Sequence, residues 1–408
     1  MNIQVIINKL GPITDSTVSL KPFMVFTGES GLGKSYTALL LYNFFSSLTP
    51  SRLQEFIASK QIGGKEKLIL KFKDFRMWLN QNTGAFLGYL LGNNNFLCQV
   101  NYIFEQDDDM PIVLEKLESE KQSGLTRVSI NGQIEVYPFE IEDNNFLFSL
   151  ALKGYLAEKC LGLSYIRPLI LPPARAAFMG ANTTSPIGMY RDFLSQLDDL
   201  KTPSRVVNTD IQFYTSYISK LADGKIILEN GSVYLQFESG ERIPISAAAS
   251  SVKELMPFLL LLQNEKDLYN SLLFEEPEAH VHPKKQFLVM DMLARCCNKG
   301  MLIQMTTHSD YLLGRMNQLL LLGKIKKKSE TAFIEFCSKH QLNKKLYLYP
   351  EQVGAYYFRR KDNKVEIVEQ SLDGGLPFSS FEDTVRSQMN MSADLESFAE
   401  ELGVEINI

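Results

Sequence analysis

Cysteine is scarce and poorly spaced for chemistry. The five cysteines (Cys98, Cys160, Cys296, Cys297, Cys337) are odd in number and form no C-x-x-C pair, which excludes a disulfide framework or a thiolate zinc site. The adjacent Cys296-Cys297 pair is expected to pack in a core. Basic charge is not in excess either: 42 Lys and Arg stand against 47 Asp and Glu, a net charge of -5. That excludes a general nucleic-acid coat, which needs a Lys/Arg surplus to neutralise phosphates, and leaves room only for a local basic face. Long apolar runs are missing. The longest, Leu255 to Leu262, is far short of a bilayer span and contains Pro257. The start, Met1-Asn2-Ile3-Gln4-Val5-Ile6-Ile7, has no basic region of the kind that opens a signal peptide. A cytoplasmic chain without a membrane partner is therefore expected. There is no internal repeat and no low-complexity linker.

What is present is apolar content for more than one core: 45% of the 408 residues are hydrophobic. Residues 3–7 and 23–27 read as strands flanking a turn at Gly11-Pro12, and a helix follows from Lys34 to Phe45. Residues 51–165 carry a weaker pattern. They include a basic and aromatic stretch from Lys65 to Trp78, an acidic run at Glu105–Asp109, a hairpin from Arg127 to Glu140 around Asn131-Gly132, and a helix from Asn145 to Cys160. Residues 166–180 read as a buried strand entering a loop. Helical periodicity spans Met189 to Leu221 with a break at Thr202-Pro203, and a β-meander spans Lys225 to Ser246. A helix at Ser250–Gln263, strands at Ser271–Phe274 and Met301–Met305, a helix at Asp310–Leu321, a hairpin around Asp362-Asn363 and an acidic C-terminal helix complete the pattern.

The most specific feature is Gly28-Glu29-Ser30-Gly31-Leu32-Gly33-Lys34-Ser35, which satisfies G-x-x-x-x-G-K-[ST] between an apolar strand and the helix opening at Tyr36. Its glycines let backbone N–H groups turn onto phosphates, and the helix adds its positive end. Lys34 is placed to reach the β- and γ-phosphates, and the Ser35 hydroxyl to ligate Mg²⁺. A nucleoside triphosphate, ATP with Mg²⁺, is the expected ligand.

Two further strands end in polar groups. Ser271–Phe274 runs into Glu275-Glu276-Pro277-Glu278. Consecutive strand residues face opposite ways, so one glutamate can serve metal-bound water while the other polarises an attacking water. Read alone, the pair is equally a solvated strand end before a turn proline. The strand at Met301 ends in Thr306-Thr307-His308-Ser309-Asp310, where His308 can meet a γ-phosphate or stand beside an ordinary helix cap. The stretch between Glu276 and His308 has room for one helix and one strand, which brings both to one sheet edge. His280, His282 and His308 lack the H-E-x-x-H or H-x-x-E-H spacing of a zinc site. Ser250-Ser251-Val252-Lys253 opens an apolar helix and is either an anion site or a plain N-cap.

In this order the elements resemble the ABC-type ATPase heads of the SMC, RecF and OLD group. Gly28–Ser35 looks like their Walker A, with Tyr36 next in the nucleotide-contacting stretch. Leu272–Pro283 looks like their Walker B and D-loop, Thr306–Ser309 like their switch-histidine loop, and Pro172-Pro173-Ala174-Arg175 like a segment of the OLD-like members. The resemblance implies an α/β P-loop NTPase fold of ABC-ATPase head type: a mixed sheet with an antiparallel β lobe and a helical insertion. It implies Glu276 and His308 as catalytic residues, Ser35 and Glu275 at the metal, and Ser250–Lys253 as a signature that completes a partner's site in a homodimer or higher oligomer. Glu275 replaces the usual aspartate and Val252 a frequent glycine, which implies slow turnover.

The implied division is a discontinuous head at 1–45 and 165–375, an inserted lobe at 46–164, a helical arm at 190–222 within the head, and an acidic tail at 376–408. Little chain remains after His308 for a nuclease domain. The layout resembles the stand-alone ATPase subunits of PARIS- and Septu-type phage-defence operons, which act on a separate nuclease or toxin after a DNA or phage-protein trigger. A RecF- or SMC-like DNA-repair head is the alternative, with Lys65, Lys67, Lys71, Lys73 and Arg76 interleaved with Phe72, Phe75 and Trp78 as a stacking and phosphate surface. That stretch also fits an amphipathic strand with a solvated face.

Overall fold

Continuous apolar runs set the centre of the molecule. In the computed structural model, residues 3–60, 66–117, 125–179, 184–202, 211–264, 269–376 and 379–401 are described. The N-terminal strands are β1 (Gln4–Leu10), β2 (Ile13–Ser19) and β3 (Phe23–Gly28), followed by α1 (Lys34–Ser47). β2 is absent from the sequence reading because its apolar signal is thin: only Ile13, Ser16 and Val18 of its seven residues are buried. The next stretch holds α2 (Pro50–Ser59), β4 (Lys67–Lys71), α3 (Phe72–Leu91), β5 (Cys98–Ile103), β6 (Pro111–Leu117), β7 (Thr126–Ile130), β8 (Gln133–Tyr137) and α4 (Asn144–Leu161). Then come β9 (Pro168–Leu171), α5 (Gly188–Leu200), α6 (Ile211–Ala222), β10 (Lys225–Glu229), β11 (Ser232–Gln236), β12 (Arg242–Pro244) and α7 (Ser250–Asn264). The last part holds β13 (Ser271–Glu275), α8 (Pro283–Asn298), β14 (Leu302–Thr306), α9 (Asp310–Lys328), α10 (Glu330–Lys339), β15 (Val353–Lys361), β16 (Lys364–Glu369) and α11 (Ser379–Glu401).

Nine strands form one mixed sheet in the order β5-β1-β2-β16-β15-β3-β14-β13-β9. The half from β15 to β9 is parallel, and β9, β13 and β14 are buried along their whole length. Strands covered on both faces need apolar side chains on both, which is why they read as unbroken runs. The other half, β5-β1-β2, is antiparallel with alternating burial. The C-terminal hairpin β15–β16 joins the two halves, pairing in parallel with β3 on one side and β2 on the other. This is the α/β fold of P-loop NTPases, with a mixed sheet.

Residues 46–164 are not a free-standing insertion. Four of their strands form a separate antiparallel sheet, β4-β6-β7-β8, but β5 pairs with β1 as the outer strand of the main sheet. The lobe is also tied to α1 through Asn43, which donates to Thr83 Oγ1 on α3 at 3.1 Å and reaches Tyr102 Oη on β5 at 3.5 Å. The helices placed in an arm at 190–222 pack inward instead: α5 lies on β9 and α3, and α6 on α7 and α8. Phe193, Leu197 and Leu221 are buried, because each helix presents an apolar stripe that needs cover. The Thr202-Pro203 break falls at the edge of residues 203–210, outside the described residues. α10 was not legible in the sequence; Ser329 caps it by accepting from Ala332 N.

Of the two readings of Lys65–Trp78, the stacking surface is not formed and the amphipathic one fits better, though over a helix as well as a strand. Lys65 lies outside the described residues, and the remainder is a strand turning into a helix. Phe72, Phe75 and Trp78 recur at helical spacing and face inward, exposed by 0%, 0% and 6%. The cations are neutralised by carboxylates: Lys67 binds Glu115 on β6, Lys71 and Lys73 bind Asp109, and Arg76 binds Asp108 through two nitrogens. No helix among the described residues is long and apolar enough to cross a membrane.

Phe75→Ala is expected to cost about 3–5 kcal/mol of stability in denaturant unfolding, as a lost core aromatic does, and Lys73→Ala less than about 1 kcal/mol, as an exposed ion pair does. A small effect at Phe75 would put that ring outside the core.

Candidate functional site

Backbone conformation shapes the cradle before any side chain does. β3 ends at Gly28, whose φ of 121° is open to glycine, and a Cβ there would lie 2.3 Å from the Phe358 carbonyl on β15. Gly33 (φ 92°) is the residue before α1 and sits against Ile13 of β2, where a Cβ would approach Ile13 Cδ1 to 2.8 Å. Between them Glu29, Ser30 and Gly31 form an exposed crest, and Leu32 is buried as its anchor. Lys34, only 7% exposed, folds back under the crest and donates to the carbonyls of Gly28 at 2.9 Å and Glu29 at 2.7 Å. Tyr36 turns away from the crest, its ring against Gly11 and edge-on to Phe96 at 5.0 Å.

The other elements arrive by register. β14 lies between β3 and β13, with Thr306 paired to Phe26 on one side and Glu275 on the other. Thr307 N donates to Phe26 O at 3.1 Å, and Glu276 N to Thr306 O at 3.1 Å. The ends of three parallel strands are thus pinned at one level, the sheet edge where α/β proteins hold ligands.

The two glutamates point into different surroundings, as alternation requires. Glu275 is 2% exposed, and the Ser35 side chain lies on its carboxylate side. Burial pushes its carboxyl up to about 7, against the pull of Ser35. Glu276 is exposed and holds φ 44°, a left-handed conformation that costs an L-residue on the order of 1–2 kcal/mol. Such strain persists where neighbours over-determine it. Here the Glu276 amide is held by Thr306 and its carbonyl accepts from Ala279 N at 3.1 Å.

Glu278 was not singled out from the sequence, yet it organises the His308 loop. One carboxylate oxygen accepts from Thr307 Oγ1 at 2.8 Å and from His308 N at 2.6 Å, while the other is buried without a partner. Burial raises its pKa. The available signal was its place two residues past Glu276, masked by Pro277, which makes the run look like a turn.

The pKa shifts follow the same convergence. Burial lowers the Lys34 ammonium to about 8, and it is drawn back up by Glu276, Glu278, Glu275 and Glu29, in that order. His308 is half-buried, and burial followed by Lys34 lowers its pKa, so its imidazole is neutral at pH 7. Lys34, Ser35, Glu275, Glu276, Glu278 and His308 therefore share one electrostatic neighbourhood. His280 and His282 do not join it: His280 is exposed in a left-handed turn, and His282 accepts from Lys284 N as the cap of α8.

Ser250 and Ser251 open α7 at the surface, with Val252 buried and Lys253 reaching Ser246 O at 3.5 Å. α7 packs on α6, α5 and the short 3₁₀ turn at Arg175–Phe178. Arg175, within the Pro-Ala-Arg segment, is wholly buried behind β13. A cavity of about 970 Å³ lies beyond the other end of α1, lined by Tyr42, Arg52, Tyr89 and Asp192, and none of the residues above line it.

A hydroxyl beside a buried carboxylate is a hard oxygen donor pair that fits Mg²⁺. A buried carboxyl lifted to about 7 is also short of positive charge, which a cation supplies. Ser35 and Glu275 are the residues that would hold it. The cradle, with its inward amides and one lysine, fits a triphosphate.

Gly28→Ala is expected to abolish nucleotide binding and lower the melting temperature, because the added methyl meets a backbone carbonyl rather than a movable side chain. Gly31→Ala, which adds its methyl into open space but at φ 77°, should weaken binding less. Equal binding by wild type and Gly28→Ala in a fluorescent-nucleotide titration would contradict the cradle geometry.

A family model described as an AAA ATPase domain matches residues 186–313, a span that includes Ser250, Glu275, Glu276 and His308 but not the cradle. No curated protein matches the chain. Similar solved structures include an Smc head bound to the C-terminal winged-helix domain of ScpA (11% identity, 91% of this chain and 98% of that chain, TM-score 0.40). Others are an SMC head domain from Thermotoga maritima (10%, 91% and 100%, 0.37) and an Smc head domain with an extended coiled coil, derived from Pyrococcus furiosus, bound to the C-terminal domain of ScpA (11%, 94% and 98%, 0.41). By its own sheet order and cradle, and by the family match within it, this chain has the α/β fold of a P-loop NTPase and contains a region similar to the AAA ATPase domain.

Proposed function

We propose that the chain binds and hydrolyses ATP with Mg²⁺ as an ABC-type head of the SMC-like kind, and that this cycle controls a separate effector. The observation that carries the reading is the meeting of the cradle with the ends of two distant strands: Thr307 N bonds Phe26 O, Glu276 N bonds Thr306 O, and Lys34 and Ser35 act on the charges of Glu275 and Glu276. On binding, Lys34 exchanges the Gly28 and Glu29 carbonyls for β- and γ-phosphate oxygens. Mg²⁺, when bound by Ser35 and Glu275, neutralises charge on those oxygens. Glu276, exposed at the strand end, accepts the hydrogen bond of the attacking water and orients it toward the γ-phosphorus. His308 stays neutral and donates or accepts at a phosphate oxygen, its loop held by Glu278.

The exposed N-terminus of α7 supports a second part of the reading. The hydroxyls and first-turn amides of Ser250 and Ser251 suit a phosphate presented from outside, which a second copy of the chain supplies in a homodimer, while the Val252 and Lys253 amides are spent on Ala249 O. ATP then closes two heads, and closure holds or releases the effector, a nuclease or toxin in phage defence. A DNA-acting head of the RecF or SMC kind rests on the same site, and salt-dependent binding of duplex DNA separates the two.

Lys34→Ala is expected to lose ATP binding. Glu276→Gln should keep it while turnover falls about 10²- to 10⁴-fold, the usual worth of a general base, and should accumulate an ATP-dependent dimer in light scattering. Equal turnover in wild type and both variants would contradict the site. Because burial, and after it Lys34, lowers the His308 pKa below the ordinary histidine value, any acid-side loss of turnover carried by this residue should fall below that value and should vanish in His308→Ala.

A further inference from the structure

Arg175 spends its whole guanidinium on two elements that the nucleotide cycle treats as separate. It is fully buried, with the Phe274 ring 4.8 Å below its guanidinium carbon. Nη1 donates to Glu275 O and Pro172 O, both at 2.6 Å, and to Leu171 O at 3.3 Å, while Nη2 donates to Glu276 O at 3.3 Å. Nε turns the other way, to Glu254 O at 3.1 Å and the Glu254 carboxylate at 3.4 Å. Glu254 follows Lys253 in the first turns of α7, is itself 2% exposed, and has a buried Oε2 without a hydrogen bond. Burial lowers the guanidinium only to about 10, so it stays charged.

Resting on the ATPase reading above, we propose that Arg175 is the positioning residue that couples the N-terminus of α7 to the backbone of Glu276. The carbonyls it holds belong to the strained end of β13, so the left-handed turn that aims Glu276 depends on the fork. The same fork is anchored on α7 through Glu254. A group docking on Ser250–Lys253 therefore stiffens or shifts Glu254, and Arg175 carries that to the glutamate. A rigid two-ended fork suits this task; a lysine, a point donor, cannot serve both ends. Within one chain, contact made at the outer helix is felt at the water-orienting residue.

Hydrogen exchange read by mass spectrometry on the full chain tests this without needing hydrolysis. In Glu254→Gln, which keeps shape and backbone but loses the charge, exchange is expected to rise about tenfold in both peptides 250–256 and 275–280, with 28–36 unchanged. Arg175→Lys should do the same and more, and the double variant should not exceed Arg175→Lys, as partners in one network behave. Where ATP is turned over, kcat should fall with KM little changed. Exchange rising only around residue 254, or uniformly across the protein, overturns the coupling. Absence of turnover in wild type would instead count against the hydrolysis reading, and the exchange result would still decide this one.

Discussion

The structure depends on the placement of β14 between β3 and β13. Thr306 sits level with Phe26 on one side and Glu275 on the other, and two backbone bonds, Thr307 N to Phe26 O and Glu276 N to Thr306 O, lock the three strand ends together. Every chemical group in the site hangs from one of those ends. A one-residue slip would turn Glu275 away from Ser35 and bring Glu276 inward, since strand side chains alternate. The long apolar runs of β13 and β14 prevent that slip, because either register error would bury polar ends and expose Leu, Ile or Met.

Charge imbalance is the second theme. Three glutamates from one short segment surround one lysine, and burial makes that arrangement costly unless further positive charge arrives. Glu275 lifted to about 7 and the partnerless Glu278 oxygen both register the cost. A divalent cation with a nucleotide relieves the first, while Glu278 is partly compensated by the Thr307 and His308 donors. The protein thus carries a destabilised edge whose natural remedy is the ligand, which is how sites commonly differ from cores.

Much of this was legible from residues alone. The cradle, the two polar-ended strands and the parallel neighbourhood followed from motif spacing and unbroken apolar runs. What stayed hidden had local causes. β2 was missed because its buried positions include Ser16, whose hydroxyl bonds Thr14 O and accepts from Ile367 N, contacts distant in sequence or silent in pattern. The Lys65–Trp78 stretch stayed ambiguous because lysines among aromatics look alike in a binding face and in a helix whose charges are met by Asp108 and Asp109. The lobe boundary failed at β5, which leaves its sequence neighbours to pair with β1. Arg175 was visible only as part of a resemblance and Glu278 only as a neighbour of Glu276; their roles lie in which carbonyls and loops the fold brings to them.

The central claim is that three distant strand ends meet at one triphosphate. A crystal structure with Mg²⁺ and a non-hydrolysable ATP analogue tests it most directly. The account predicts β- and γ-phosphates among the amides of Gly28–Ser35, the cation on Ser35 and Glu275, and Glu276 and His308 within hydrogen-bond reach of the γ-phosphate or its water. A nucleotide bound elsewhere, or one whose γ-phosphate faces away from Glu276, would contradict it.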